Sequence, residues 1–139
     1  MALMKPQEVL QAHDLKRTAC REGILSTIKD SEHALSEKEI KDGLSGNFDR
    51  TTFYRSFKTL LKKNIIHKIV VNNQVVKYAL DNKITHKNKH AHFYCKKCDS
   101  VICLDNIPVT EPKIPQGFEA SETEIIIKGL CRECKISKD

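Results

Sequence analysis

Residues 49–80 read DRTTFYRSFKTLLKKNIIHKIVVNNQVVKYAL, and a change of hydrophobic period inside this stretch decides the fold of the first half of the chain. Phe53, Phe57, Leu60 and Leu61 recur at helical spacing behind Asp49, a good N-cap, so a helix is predicted to about Lys63. Beyond it, Ile65–Val71 and Gln74–Leu80 read as short strands around Asn72 and Asn73, residues that tolerate the positive φ of a tight hairpin turn. A helix followed by a two-stranded hairpin predicts a winged helix-turn-helix. The outward face of that helix carries Arg50, Thr51, Tyr54, Arg55, Lys58 and Lys62. In this motif the last helix lies in the major groove, where Arg55 and Thr51 can meet phosphates and base edges. Tyr54 can touch a thymine methyl or pack beneath the wing. A merely solvated amphipathic helix is the competing reading.

The residues upstream favour the motif. Pro6 suits a first helical turn leading into Glu8–His13, and Thr18 caps a second helix with Ile24, Leu25 and Ile28 on one face. Ser36 and Glu39 form a capping box for a third helix with Ile40 and Leu44 inward, which Gly43 and Gly46 then break.

Downstream the chemistry changes. Cys95-Lys96-Lys97-Cys98 and Cys131-Arg132-Glu133-Cys134 are two CxxC pairs, enough for one tetrahedral four-sulfur zinc site. The 32 positions between Cys98 and Cys131 exceed ordinary knuckle spacing, so the segment between them must itself be folded. Two disulfides or four free thiols are the competing readings. His90 and His92 alternate just before Cys95, and alternate residues on a strand face one side, so they could share an ion with Cys103 from the next strand. Imidazole with thiolate suits zinc, whereas carboxylates suit iron or manganese. A deaminase would need HxE with PCxxC, and HAH and KHAHFYCKKC supply neither the Glu nor the Pro, so an enzyme is not expected.

The 139 residues, 15.9 kDa, allow one ordinary domain or two small ones. No Trp and 6% aromatic residues leave little bulk for a large core, so metal is expected to help hold the fold. The net charge of +6 is concentrated: residues 1–83 carry 15 basic and 10 acidic side chains, residues 84–139 carry 9 and 8. Five of six cysteines lie in the second part, leaving Cys20 to helix packing. The split predicts a DNA-binding domain at 1–82, a hinge at 83–89 and a metal-binding domain at 90–139. No apolar run reaches the ~20 residues of a membrane span, and Met1–Gln11 lacks a signal-peptide core. A soluble, cytoplasmic chain without membrane partners is expected, where thiols stay reduced.

These motifs resemble the ferric uptake regulator family of metal-responsive bacterial repressors. The likeness runs through Leu15-Lys16-Arg17-Thr18 with Arg21, Ile24 and Leu25; Thr51-Thr52-Phe53-Tyr54-Arg55; His90-Ala91-His92 with Cys95 and Cys98; and Gly129-Leu130-Cys131 with Cys134. It implies an α+β homodimer: a winged helix-turn-helix, then a small C-terminal α/β dimerisation domain with a structural zinc on the four cysteines of the CxxC pairs. It also implies a second, regulatory divalent metal at the hinge and a palindromic double-stranded DNA operator. By the same resemblance Lys16 enters the minor groove and Tyr54 and Arg55 read the major groove, so Lys16, Arg17, Thr51, Thr52, Tyr54 and Arg55 form the expected DNA set.

Departures from the family pattern bear on the metal. Its hinge site takes a His two places before the third helix's Ser or Thr, a Glu before the last wing residue, the HxH pair, and an acid five places after the second cysteine. Here those positions hold Ala34, with His33 one place off; Ala79; His90 and His92; and Cys103. The family's further site meets Lys89, Ala91 and Thr123 and is expected to be absent. Loss of both carboxylates and gain of a thiol resemble the zinc-uptake branch, giving His90, His92, Cys103 and His33, or His86 in place of His33, as regulatory zinc ligands. An iron or peroxide sensor of the same family, or a zinc-ribbon interaction module, are the alternatives. Pro108, Pro112 and Pro115 should suppress the helix usually found between two strands of the C-terminal sheet, leaving Ala91–Tyr94, Ser100–Leu104 and Phe118–Lys128 as strands.

Overall fold

In a computed structural model of the chain, the described residues are 5–72, 74–80, 89–104, 110, 112–121 and 123–136, with Lys89 and His90 described as backbone only. Four helices begin it: α1 (Pro6–Ala12), α2 (Ala19–Lys29), α3 (Glu37–Asp42) and α4 (Arg50–Lys62). Their starts follow the signals in the sequence. The Arg21 amide donates to Thr18 Oγ1 at 3.1 Å and the Thr52 amide to Asp49 Oδ1 at 2.7 Å. Ser36 and Glu39 satisfy each other's amides at 2.9 and 3.1 Å, the reciprocal capping box. Leu10, Ile24, Leu25, Ile40, Phe53, Phe57 and Leu60 meet in one core, closed by Ile66 and Tyr78 of the wing.

The wing is β1 (Ile66–Val71) paired antiparallel with β2 (Val75–Leu80), and Asn72 takes the left-handed φ of 56° that its turn needs. Leu35 and Tyr78 exchange backbone hydrogen bonds at 3.0 and 2.7 Å, so the segment before α3 adds a third rung. The C-terminal sheet has the order β4 (Val101–Cys103), β3 (Lys89–Cys95), β5 (Thr123–Gly129), with β3–β4 antiparallel and β3–β5 parallel. A short helix, α5 (Arg132–Ile136), follows.

The expected third C-terminal strand is shorter than the sequence pattern indicated. Phe118–Ser121 lies outside β5, and Phe118 is 69% exposed, because the turn at Gly117 (φ 91°) leaves this piece away from the sheet. Among the described residues of 107–117 there is no helix, as three prolines require. The proposed hinge lies almost wholly outside the described residues, and β3 begins at its last position, Lys89.

A second core joins the two halves. In β1, His67, Ile69 and Val71 share one face, and Ile69 and Val71 pack with Ala34 and Ala79 against Tyr94 and Val101 of the sheet, with Ile126 at the margin. The Ala34 amide donates to the Val101 carbonyl at 2.7 Å, and Lys128 Nζ to Asn72 Oδ1 at 2.6 Å. The wing is thus packed on the C-terminal sheet, and whatever lies in that seam is contacted from both halves.

Candidate metal centres and nucleic-acid face

Parallel pairing brings the two CxxC pairs together despite their separation in sequence. Cys95 ends β3 in register with Gly129, which ends β5, and the Lys96 amide donates to the Gly129 carbonyl at 2.8 Å. Cys98 lies one tight turn beyond Cys95, closed by Asp99 at φ 63°; Cys131 precedes α5, and Cys134 stands within it. The four sulfurs lie within 4.8 Å of one another, with Cys98 and Cys131 at 3.8 Å. Sulfurs about 2.3 Å from one tetrahedral ion stand about 3.8 Å apart, so the cluster fits zinc. All six cysteines are thiols.

The electrostatics of the cluster favour a shared ion. The Cys98 amide aimed at Cys95, aided by that of Cys131 against the cost of burial, lowers the Cys95 thiol to about 6. The neighbouring Cys131 sulfur, with burial, pushes the Cys134 thiol up to about 12. One sulfur is therefore anionic near neutrality while a neighbour resists ionising, because clustered negative charge is costly without a cation.

The second cluster lies in the seam between wing and sheet. His67 of β1, His92 of β3 and Cys103 of β4 bring ligand atoms within 4.8 Å of one another. His92 and Cys103 are cross-strand partners, and the His67 and His92 rings lie 5.7 Å apart. His92 is buried, 1% exposed. Two of the expected ligands, His92 and Cys103, therefore meet, joined by a histidine that the sequence reading did not select. Only the strand register reveals it: His67 sits directly across the hairpin from Ala79, the position where the family pattern has a wing carboxylate. The wing thus offers a candidate ligand on the residue of β1 that faces that position of β2.

His33 does not join this cluster. It lines a cavity of about 400 Å³ with Phe93, Ile102, Leu130, Cys131 and Glu133, nearer the four-cysteine centre. The one-place offset from Ala34 explains the difference: Ala34 is buried in the seam, and its neighbour points elsewhere. The His90 side chain and all of His86 lie outside the described residues.

In the helical domain, Arg50, Thr51, Thr52, Arg55 and Lys58 of α4 are exposed. Tyr54 is half-buried, edge-on to Phe53 at 5.7 Å with the Arg50 guanidinium 5.8 Å from its ring centre. A groove of about 610 Å³ separates α4 from the start of α2, lined by Thr18, Arg21, Thr52, Arg55 and Lys58. Lys16 and Arg17 are exposed in the loop entering α2, directly before Thr18 of the groove wall. Cys20 is buried between these helices, its Sγ 4.0 Å from the Thr52 carbonyl, in the packing role expected of it.

The comparisons with known proteins agree with this architecture. The family model described as "Ferric uptake regulator family" matches residues 12–128. The transcriptional regulator FurA of Mycobacterium bovis is 26% identical over 137 residues, covering 94% of this chain and 90% of its own. Among solved structures, a zinc uptake regulator complexed with zinc and DNA superimposes with TM-score 0.65 at 19% identity, covering 95% of this chain and 91% of its own. The ferric uptake regulator of Vibrio cholerae gives 0.64 at 19%, covering 90% and 98%. A zinc-bound manganese uptake regulator gives 0.66 at 17%, covering 92% and 99%. At these identities the structures speak for the fold alone.

Proposed function

The chain belongs to the ferric uptake regulator family of transcriptional regulators, metal-responsive proteins and not enzymes, and from that premise we propose that it is a zinc-responsive repressor acting as a homodimer on a palindromic operator. The observation that carries the zinc assignment is the seam cluster of His67, His92 and Cys103, two imidazoles and a thiol with no carboxylate among the described residues. Such a donor set suits zinc over manganese or iron(II).

Cys95, Cys98, Cys131 and Cys134 would hold the structural zinc, whose binding supplies folding free energy to a half with little core. The seam residues would do different work. His67 belongs to the wing and His92 and Cys103 to the sheet, so an ion held by all three adds affinity to the packed arrangement of the halves. That differential affinity is what a metal needs to shift a conformational equilibrium. With the seam closed, α4 and the Lys16–Thr18 loop take the fixed position from which Lys16, Arg17, Thr51, Thr52, Tyr54 and Arg55 meet the duplex. The zinc uptake regulator complexed with zinc and DNA, which shares the fold, supports this reading.

The dimer contact is assigned to β5. Among the described residues it is an edge strand of seven residues with Ile125 36% and Ile127 45% exposed, a surface that natural proteins cover. Antiparallel self-pairing centred on Ile126 would set Glu124 opposite Lys128 of a second copy and Ile125 opposite its Ile127, like a palindrome.

Fluorescence anisotropy tests the regulatory reading. Duplexes enriched from a random pool by zinc-loaded protein should bind at least tenfold more tightly with two zinc equivalents per subunit than with one. Iron(II) and manganese should not substitute at matched free concentration. Equal affinity in every metal state would refute it.

A further inference from the structure

Arg17, one of the residues assigned to DNA, already has an anionic partner. Its Nε donates to Glu22 Oε1 at 2.6 Å, with the Arg17 side chain 64% and that of Glu22 24% exposed. Glu22 stands in the first turn of α2, where the N-terminal end of the helix dipole favours a carboxylate, and it is therefore fixed more firmly than a surface glutamate on a loop. The loop is also held from its other side, since Arg21 Nη1 donates to the Lys16 carbonyl at 2.8 Å and the Thr18 hydroxyl caps the same turn. The guanidinium beside Lys16 is thus engaged before any DNA arrives.

We infer that Glu22 is an internal phosphate mimic, a residue that sets how strongly this protein binds DNA of arbitrary sequence. The inference rests on the DNA face proposed above. A guanidinium that meets a phosphate must first leave the Glu22 carboxylate, which then remains unpaired close to the duplex. Counted as charge, the Arg17–Glu22 pair is neutral and displaces almost no counterions from DNA, although Arg17 is exposed in the loop entering α2, directly before Thr18 of the groove wall. Non-specific binding is mostly counterion release, so silencing one cation lowers it for every sequence alike. At the operator, where Lys16, Tyr54 and Arg55 add base contacts, the same loss is a smaller share of the total. Glu22 therefore widens the gap between operator and bulk DNA without touching a base.

The test uses full-length zinc-loaded protein and short random-sequence duplexes, with affinity measured by anisotropy over a range of salt concentrations. Glu22→Gln keeps the size and helix propensity of the side chain, and circular dichroism of the variant checks α2. Glu119→Gln, which removes the same charge from the exposed segment before β5, gives the baseline for net charge. Glu22→Gln should raise random-duplex affinity about two- to fivefold over that baseline. It should also steepen the slope of log affinity against log salt by about 0.9, one extra phosphate contact. A folded Glu22→Gln protein matching Glu119→Gln in affinity and slope would overturn the inference. Arg55→Ala separates that failure from failure of the DNA face: if it too leaves random-duplex affinity and slope unchanged, the face itself is misassigned.

Discussion

At the scale of single residues, the most informative position is His67, because its place in the seam cluster is decided by strand pairing. Opposite it is Ala79, too small to ligate, and beyond it across the seam are His92 and Cys103. His67→Ala and Cys103→Ser should each lower bound zinc from two equivalents per subunit to one, and His33→Ala should leave two. Metal analysis after dialysis against a weak chelator reads this directly. Two equivalents retained by His67→Ala would remove it from the site. The thiol in this cluster was legible in the sequence as a residue type at a position, but the histidine was not. Its neighbours Ile66, Lys68 and Ile69 give it no motif, and only pairing across the hairpin shows that it faces the seam.

At the scale of elements, the helix starts were legible because a cap is a local device: side chain and amide are three residues apart whatever the rest of the chain does. The capping box of α3 has a pH signature. The Ser36 amide donating to Glu39, opposed by partial burial and aided by Lys77 3.0 Å away, holds the Glu39 carboxyl below its ordinary value of 4.5. A carboxyl lowered on folding stabilises the fold above its unfolded pKa, and that contribution is lost as pH falls through the folded value. Glu39→Gln should therefore lower the melting temperature at pH 7 and lose most of that difference in acid, below the ordinary carboxyl value of 4.5. Ser36→Ala, which deletes the other half of the box, should cost about 1 kcal/mol at neutral pH. Thermal melts across pH check both, and a Glu39→Gln deficit that persists undiminished in acid would assign the loss to packing. Strand limits were less legible. The Phe118 aromatic resembles a strand start, yet the turn at Gly117 separates it from the sheet, a fact of tertiary placement.

At the scale of the whole molecule, the edge of β5, unpaired among the described residues, is the feature that a second copy would complete. Glu124→Lys should weaken dimerisation by placing lysines opposite one another across the two-fold axis, and adding Lys128→Glu should restore it by exchanging the signs. Sedimentation velocity on zinc-loaded protein reads the assembly state; a double variant no better than the single would rule out this register. Lys128 also donates to Asn72 at the wing tip, so hydrogen exchange in the wing, run alongside, separates loss of that contact from loss of the dimer.

The sequence by itself determined whatever depends on neighbours in the chain: four helix starts, a hairpin turn at Asn72, prolines that forbid a helix in 107–117, and CxxC pairs whose two thiolates can reach one ion from one turn. Those are short-range constraints of backbone geometry and ligand spacing. Tertiary structure decided which distant residues meet. Parallel pairing of β3 with β5 joins two cysteine pairs separated by 32 positions, and packing of the wing on the sheet chooses His67 over His33 as the partner of His92 and Cys103. A one-residue offset is invisible in a list of histidines, yet His33 stands in a bend and lines the cavity beside Cys131, while the amide of the next residue, Ala34, is bonded to Val101 in the seam.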